Sequence, residues 1–521
     1  MQLSAPETEK RHMEAGHWGR VTLDNLFLRA ARKAGEKVFL EDPRQSITGH
    51  EAIALFHRMS ALYADLGIGR DAAVAVRSGN GAMALIAFMA LLNREAIAFV
   101  APVVWSGAEI ALNALPFEPR AIVDLTGLED DAALDAAAEL FTVRAVATLG
   151  ITLDGTIDLA EAEPRGEVPA TSEGRASHVA TVHFRIDPRG RPVAIPRSHN
   201  HWIAAGLSTF LEAGFAKGTG LATSLSPMAA PSLASAIVPA LLGGLPIHFG
   251  EPSSGKALTA LVSGDVASHV ALPARLVGFL KKSGPVRLLA VHPPDRTLRF
   301  TAPAGALVTD VHDLNHAAFL PRTRSEPARS APLTCGPQQF PSLAEKGPVL
   351  AELHRRANGN SELGQLSMEG PGVPDAPWPQ LAGVSALGFD PSGGVKTGVA
   401  AREDENGLEL LGLLGDTIHV GSVPVALEAL DLMLSGVPGV TEAAAFAVED
   451  PLLGARVHAA IVLEDGAPMP AIADLCEMLR ALGVSDHALP AGVQRMESLP
   501  RTATGALNRA LLQPEHKARA A

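Results

Sequence analysis

The residues with chemistry to offer fall in a few short stretches. Four arginines, Arg185, Arg189, Arg191 and Arg197, lie within thirteen residues. They read in two ways: as a grip on an anion (a phosphopantetheine, coenzyme A or an acidic carrier protein) through charge-assisted hydrogen bonds, or as a solvated loop whose charges face water. His312 and His316 stand four apart, the spacing at which a helix aims two imidazoles at one metal ion. On a strand or turn they would diverge and serve packing. Ser198 precedes His199, but adjacent residues rarely achieve the hydroxyl–imidazole geometry of a catalytic nucleophile, and no third member is evident. Near the C-terminus runs Leu499-Pro500-Arg501-Thr502-Ala503-Thr504-Gly505-Ala506-Leu507-Asn508-Arg509.

These stretches must be held by a large framework. The chain has 521 residues, 47% of them hydrophobic, with a mean hydropathy of +0.18. That suffices for a sizeable core and suggests one large domain and one small. Helical periodicity marks Leu23 to Ala34 and Glu51 to Leu66, the second stopped by Gly67, and a further helix is expected over Ala82 to Leu92. Strand-like runs alternate with helices: Ala72 to Val76, Ala96 to Val100, Ala121 to Val123 and His178 to Phe184. The alternation predicts an α/β fold with largely parallel sheets. Thr301 to Leu366, rich in Pro, Arg and Ser, resists assignment. The last hundred residues change character: a hairpin strand over Gly407 to Gly412, helices over Val425 to Leu434 and Ala471 to Leu482, and strands over Ala443 to Val448 and His458 to Leu463. A boundary near Asp416 divides a large domain, 1–415, from a small α+β lid, 416–521.

Charge and cysteine content narrow the function. With 43 basic and 56 acidic residues the net charge is −13, and neither a basic tract nor a zinc-like spacing occurs, which argues against a nucleic-acid partner. Cys335 and Cys476 lack a metal or redox spacing and read as free thiols in a reducing cytosol. The first residues, Met1-Gln2-Leu3-Ser4-Ala5-Pro6-Glu7, are polar and acidic, unlike a signal peptide. Met228 to Ile247 is long enough to span a membrane, but Pro231, Pro239, Pro246 and paired glycines favour a buried helix and strand. A cytoplasmic protein with no membrane partner is expected.

The C-terminal stretch resembles the closing loop L-P-x-T-x-x-G-K of the adenylate-forming superfamily of acyl- and aryl-CoA ligases, aryl-AMP ligases and adenylation domains. Within it the chain is most similar to 2,3-dihydroxybenzoate-AMP ligases, nearly end to end. Gly16-His17-Trp18 before Thr22-Leu23 looks like their G-x-W entry. Leu66-Gly67-Ile68 with Val74-Ala75-Val76 and Asn80 resembles their first strand and its helix. Ile195-Pro196-Arg197-Ser198-His199-Asn200 matches their I-P-R-T-H-D run, and Pro438-Gly439-Val440 with Leu453-Gly454-Ala455-Arg456 matches the lid. The resemblance implies the adenylate-forming fold: layered α/β subdomains, a mobile C-terminal lid, and a cleft between them for ATP, Mg²⁺ and an acid.

The same resemblance shows the chemistry replaced. Ala506 stands at the position of the family's lysine. The glycine-rich loop that wraps the triphosphate with backbone N–H groups is matched by Arg185-Ile186-Asp187-Pro188-Arg189-Gly190-Arg191-Pro192-Val193. There Gly190 and Pro192 remain, Pro188 has no N–H, Asp187 adds negative charge and Val193 replaces a lysine. His316 falls where a glutamate holds Mg²⁺, in His312-Asp313-Leu314-Asn315-His316, and His292-Pro293 falls at the adenine-packing glycines. Val399 replaces the ribose-binding aspartate, Leu413 the hinge arginine before the retained hinge residue Asp416, and Ala230-Pro231 the aryl pocket's His-Asn. His199 keeps the family's S/T-H pair. Glu428 and Asp431 read as solvated, and Arg509 as a cap of the final helix or a residue that crosses the lid interface.

Losing one donor to developing charge costs about 10²–10³ in rate. Such losses are not additive, yet together they should remove most of the adenylation rate. The expectation is a pseudo-ligase with no ATP or Mg²⁺ requirement and no assigned metal. It would bind an acyl or aryl acid, a thioester or a carrier protein, or scaffold a partner enzyme, in a siderophore-like or other secondary-metabolite pathway, as a monomer or a homodimer. The alternative is a divergent or repurposed ligase-type enzyme acting on an activated acyl group.

Overall fold

The computed structural model describes residues 1–166, 175–187, 189–294, 296–357, 363–405, 407–502 and 505–512. Pro188, Ala503 and Thr504 of the loops singled out above lie outside the described residues.

Among the described residues two large sheets form the body. One has seven strands, parallel except where Val179–Ile186 meets Pro192–Ser198. The other has eight, parallel inside and antiparallel at both ends. The main core lies between them, drawing Val74 and Val76 from the first sheet and Leu40, Leu221 and Ile247 from the second. Helix Ala82–Asn93 carries no charged residue and is buried everywhere but Met83, as expected of a helix covered on all sides. Polar caps fix where helices begin: Thr48 and Glu51 form a capping box on Gly49–Asp65, and Ser198 with His201 forms one on His199–Glu212. The apolar run after Met228 folds as a helix interrupted by a π-turn over Leu233–Ile237, followed by strand Ile247–Phe249. No described helix is long and apolar enough to cross a membrane.

The stretch from Thr301 to Leu366 is mostly strand. Leu307–Leu314 and Ala318–Thr323 close one edge of the eight-stranded sheet. Gly336–Gln339, Val349–Ala357 and Leu363–Glu369 open a five-stranded antiparallel sheet that Val395–Asp404 and Gly407–Leu413 complete. Its prolines hid it: Pro321 and Pro337 sit on edge strands, where a missing N–H is tolerated. Beyond Leu413 the chain enters hairpin Thr417–Val420/Val423–Ala426, helix Leu427–Ser435, the long pair Val440–Asp450/Gly454–Leu463 and helix Ile472–Ala481, which share a separate core. This small lid touches the body through a polar clasp. Ser485 Oγ accepts from Ser106 N at 2.7 Å and donates to the Glu109 carboxylate, and Ser106 Oγ donates to Gly483 O at 3.3 Å.

Candidate functional site

The turn between Val179–Ile186 and Pro192–Ser198, which the resemblance matches to the phosphate loop, carries its own anion. Asp187 Oδ1 accepts from Arg189 N and Arg191 N, both at 2.9 Å. Its Oδ2 accepts from Arg191 Nε at 2.9 Å and Ser385 Oγ at 2.6 Å. Burial alone would raise the Asp187 pKa, but the bonds from Ser385 and Arg191 outweigh it and hold the carboxylate below its ordinary range. Gly190 has φ of +77°, and a Cβ there would come within 2.9 Å of Ala429 on lid helix Leu427–Ser435; a glycine is needed both for the turn and for the close approach.

The four arginines do not converge on a ligand, and only in part do they form a solvated loop. Arg197 is fully buried. It lies over the rings of Trp202 and Phe319 and donates to His316 O and Ala317 O at 2.7 and 2.8 Å. Arg185, half-buried, donates to Lys396 O and Thr397 O at 3.0 and 2.6 Å, and Asn315 Nδ2 reaches the same Thr397 oxygen at 3.0 Å. Burial lowers the pKa of Arg197 to about 9 and of Arg185 to about 10. Arg191 is taken by Asp187, which leaves Arg189 exposed on the turn. The anion-grip reading fails because two of the side chains close the body onto itself and a third is paired within the loop.

The histidines are packing residues and buried, not surface ones. His312 lies in strand Leu307–Leu314 and His316 in the turn after it, so their four-residue spacing never becomes a helix face. His292 stacks on His312 with ring centres 5.1 Å apart, and its Nε2 meets Asp310 Oδ1 at 2.8 Å. Burial and then the neighbouring His292 push His312 down to about 3, leaving it neutral. Its Nδ1 sits 3.2 Å from Thr297 Oγ1, while its Nε2 has no hydrogen-bond partner among the described residues. His312 borders a cavity of about 630 Å³ with Thr297, Arg329 and Glu409. His316, in the Mg²⁺-carboxylate position, takes a left-handed φ of +57° and faces Asp313 at 2.7 Å, with the ring of His419 from the lid 6.4 Å away. His199 does not line the cleft; it is buried, and its Nδ1 accepts from Leu23 N at 3.1 Å.

Ser198 has partners that adjacency in sequence could not reveal. Its Oγ stands 2.9 Å from His201 Nδ1, and His201 Nε2 is 3.4 Å from Asp375 Oδ1. The hydroxyl also accepts from His201 N as the helix cap and is buried, so this Ser–His–Asp string fastens a helix rather than meeting a substrate. Ala230 is buried in the main core and lines none of the described cavities. Val399 and Leu413 are direct register partners that close an apolar patch of the five-stranded sheet. Ala506 is exposed on the lid, its carbonyl bonded to Thr502 N. A second cavity, of about 900 Å³, lies elsewhere, among Glu9, Arg20, Arg70, Glu95 and His178, and includes no residue matched to the ATP site.

Asp416 is bound by Arg509 Nε at 2.8 Å, and the same guanidinium reaches Asp431 Oδ2 at 2.7 Å and Ala445 O at 2.6 Å. Asp431 is therefore a partly buried anchor and not a solvated residue, since Ala445 N also donates to it at 2.5 Å. Arg509 neither caps a helix nor crosses to the body; it ties the hinge to the lid. Glu428 is exposed.

At the positions that the resemblance matches to the ATP site, the Arg189 and Arg191 N–H groups bind Asp187, His316 stands for the metal carboxylate, and Val399 and Leu413 stand for the ribose and hinge residues, a set that does not suit a metal-bound triphosphate.

A double-sheeted body joined at Asp416 to a small α+β lid is the architecture of the adenylate-forming enzymes. The profile of the AMP-binding enzyme C-terminal domain matches residues 430–506. Salicylyl-CoA synthase / salicylate adenylyltransferase of a Streptomyces species is 23% identical over 97% of this chain and 96% of its own length. Enterobactin synthase component E of Escherichia coli (strain K12) is 23% identical over 97% and 96%. Among solved structures, the amide bond synthetase McbA from Marinactinospora thermotolerans has a TM-score of 0.72 at 19% identity, covering 94% of this chain and 99% of that one. Residues 430–506 thus match the C-terminal domain of AMP-binding enzymes, the body and lid have the fold of adenylate-forming enzymes, and along nearly its whole length the chain is similar to aryl-AMP and aryl-CoA ligases.

Proposed function

We propose that this chain has left ATP-dependent adenylation and serves as a ligand- or carrier-binding member of the superfamily in a siderophore-like or other secondary-metabolite pathway. The observation that carries the reading is the Asp187 carboxylate, which accepts the two loop N–H groups that a phosphate would need. The bonds of Arg185, Asn315 and Arg197 to the carbonyls of residues 396, 397, 316 and 317 support it, because they close the region around the expected ATP site. The cavity bordered by His312, a residue matched to the ATP-site region, is the proposed ligand space. An acyl or aryl acid, its thioester, or the arm of a carrier protein is the ligand class proposed, with neither ATP nor Mg²⁺ as cofactor.

Calorimetric titration of the folded protein with Mg·ATP at near-millimolar concentration tests the reading without a guess at the acid. Absence of heat is expected, together with absence of pyrophosphate exchange in the presence of salicylate or 2,3-dihydroxybenzoate. Saturable micromolar ATP binding, or acyl-AMP formation with any acid, would overturn it and establish a rebuilt active site.

A further inference from the structure

Strands Val349–Ala357 and Leu363–Glu369 bring together two carboxylates and an imidazole that no part of the ligase chemistry uses. Glu352 and His354 are two residues apart and so share a face of the sheet. Glu369 is the register partner of Glu352 on the neighbouring antiparallel strand and points to that same face. His354 Nε2 lies 3.4 Å from a Glu369 oxygen and 3.9 Å from a Glu352 oxygen. One ligand atom from each of the three residues falls within 4.8 Å of the others.

We propose that Glu352, His354 and Glu369 form a binding site for a borderline divalent transition-metal ion of the Zn²⁺ class, with water completing the coordination. Bonds of about 2.0–2.2 Å in a tetrahedron hold neighbouring ligand atoms roughly 3.3–3.6 Å apart, so small side-chain rotations bring the set onto one ion. Electrostatics call for a cation there. Like charges directly opposite in an antiparallel pair repel, and among the described residues neither glutamate forms an ion pair with an arginine or a lysine. Arg356 on the same strand is engaged by Asp390 and Ser392, and Arg355 by Glu403. The imidazole selects the class, because Mg²⁺ and Ca²⁺ favour all-oxygen sets with more ligands. The ion would cross-link two strands of the five-stranded sheet, and none of its three ligands is a residue matched to the ATP site.

The test is calorimetric titration of the full, chelator-stripped chain with ZnCl₂, with MgCl₂ as the comparison, and melting of the same samples. One saturable equivalent of Zn²⁺, accompanied by a rise in melting temperature, is expected. Removing one ligand should weaken that equivalent by at least about 10–100-fold, since even outer-shell losses do so. The substitutions are His354→Ala and Glu369→Gln. The second keeps shape and relieves the repulsion, so its metal-free melting temperature should not fall; it decides the question if the first does not fold. Zn²⁺ equivalents beyond the first that the parent also shows and both variants keep belong to other histidines. Equal binding by the parent and Glu369→Gln, or no saturable heat in the parent, overturns the proposal.

Discussion

Replacing Asp187 with serine removes the anion that the loop over residues 187–191 now holds. Two backbone N–H groups, the Ser385 hydroxyl and the Arg191 guanidinium then lose their common acceptor. Because the loop borders solvent, water replaces part of what is lost, and a stability cost of about 1–3 kcal/mol is expected. The gain is electrostatic. A phosphate seated about 4 Å from the present carboxylate meets a repulsion of about 4 kcal/mol per pair of unit charges at an effective dielectric constant near 20. Relieving it should strengthen anion binding by up to about 1,000-fold. Calorimetry with pyrophosphate reads this directly: the parent should give no heat, and the Asp187→Ser variant should bind in the range of about 0.1–1 mM, with binding that weakens as salt rises. A folded variant that stays silent, or a parent that binds equally well, would refute the claim that an internal carboxylate closes the loop.

The other expectations concern the lid and the missing lysine. Ala506→Lys alone should not restore acyl-AMP formation in a pyrophosphate-exchange assay, since the phosphate loop, metal carboxylate and ribose anchor remain absent and each such loss costs about 10²–10³. Arg509→Ala should destabilise the lid by about 1–3 kcal/mol, chiefly by leaving the partly buried Asp431 without its charged partner, and hydrogen exchange over 417–502 should quicken while the body keeps its protection. Glu109 makes the clasp pH-dependent: burial, only partly offset by hydrogen bonds from Ser485 and Ser106, raises its pKa from 4.5 to about 7. Between those values the folded protein holds a proton that the unfolded chain has released, so stability falls as pH rises through that window, by roughly 3 kcal/mol in all. Glu109→Gln should remove that slope in melting temperature measured from pH 4.5 to 8.

Much of this protein is legible in its residues alone. Helix Leu23–Ala34 falls where its periodicity places it, and the helices and strands of the lid lie within a few residues of their sequence-derived positions, because amphipathic spacing and glycine stops act locally. The superfamily was legible for a related reason: turn motifs such as Ile195-Pro196-Arg197-Ser198-His199-Asn200 are short, and their order along the chain is preserved. The resemblance likewise assigns, position by position, what Ala506, Val399 and Leu413 would replace. Partnership could not. Asp187 read as a charge that repels phosphate, and only the fold shows it bound by Ser385, 198 residues away. Arg185 and Arg197 read as companions of Arg189 and Arg191 until strand pairing turned them inward. Asp431 read as solvated until Arg509 came to rest on it. Ser198, His201 and Asp375 form a string whose last member is 174 residues from His201, and Glu352, His354 and Glu369 meet only through antiparallel register. Local propensity decides which elements form, whereas burial and register, set by contacts distant in sequence, decide which side chains meet.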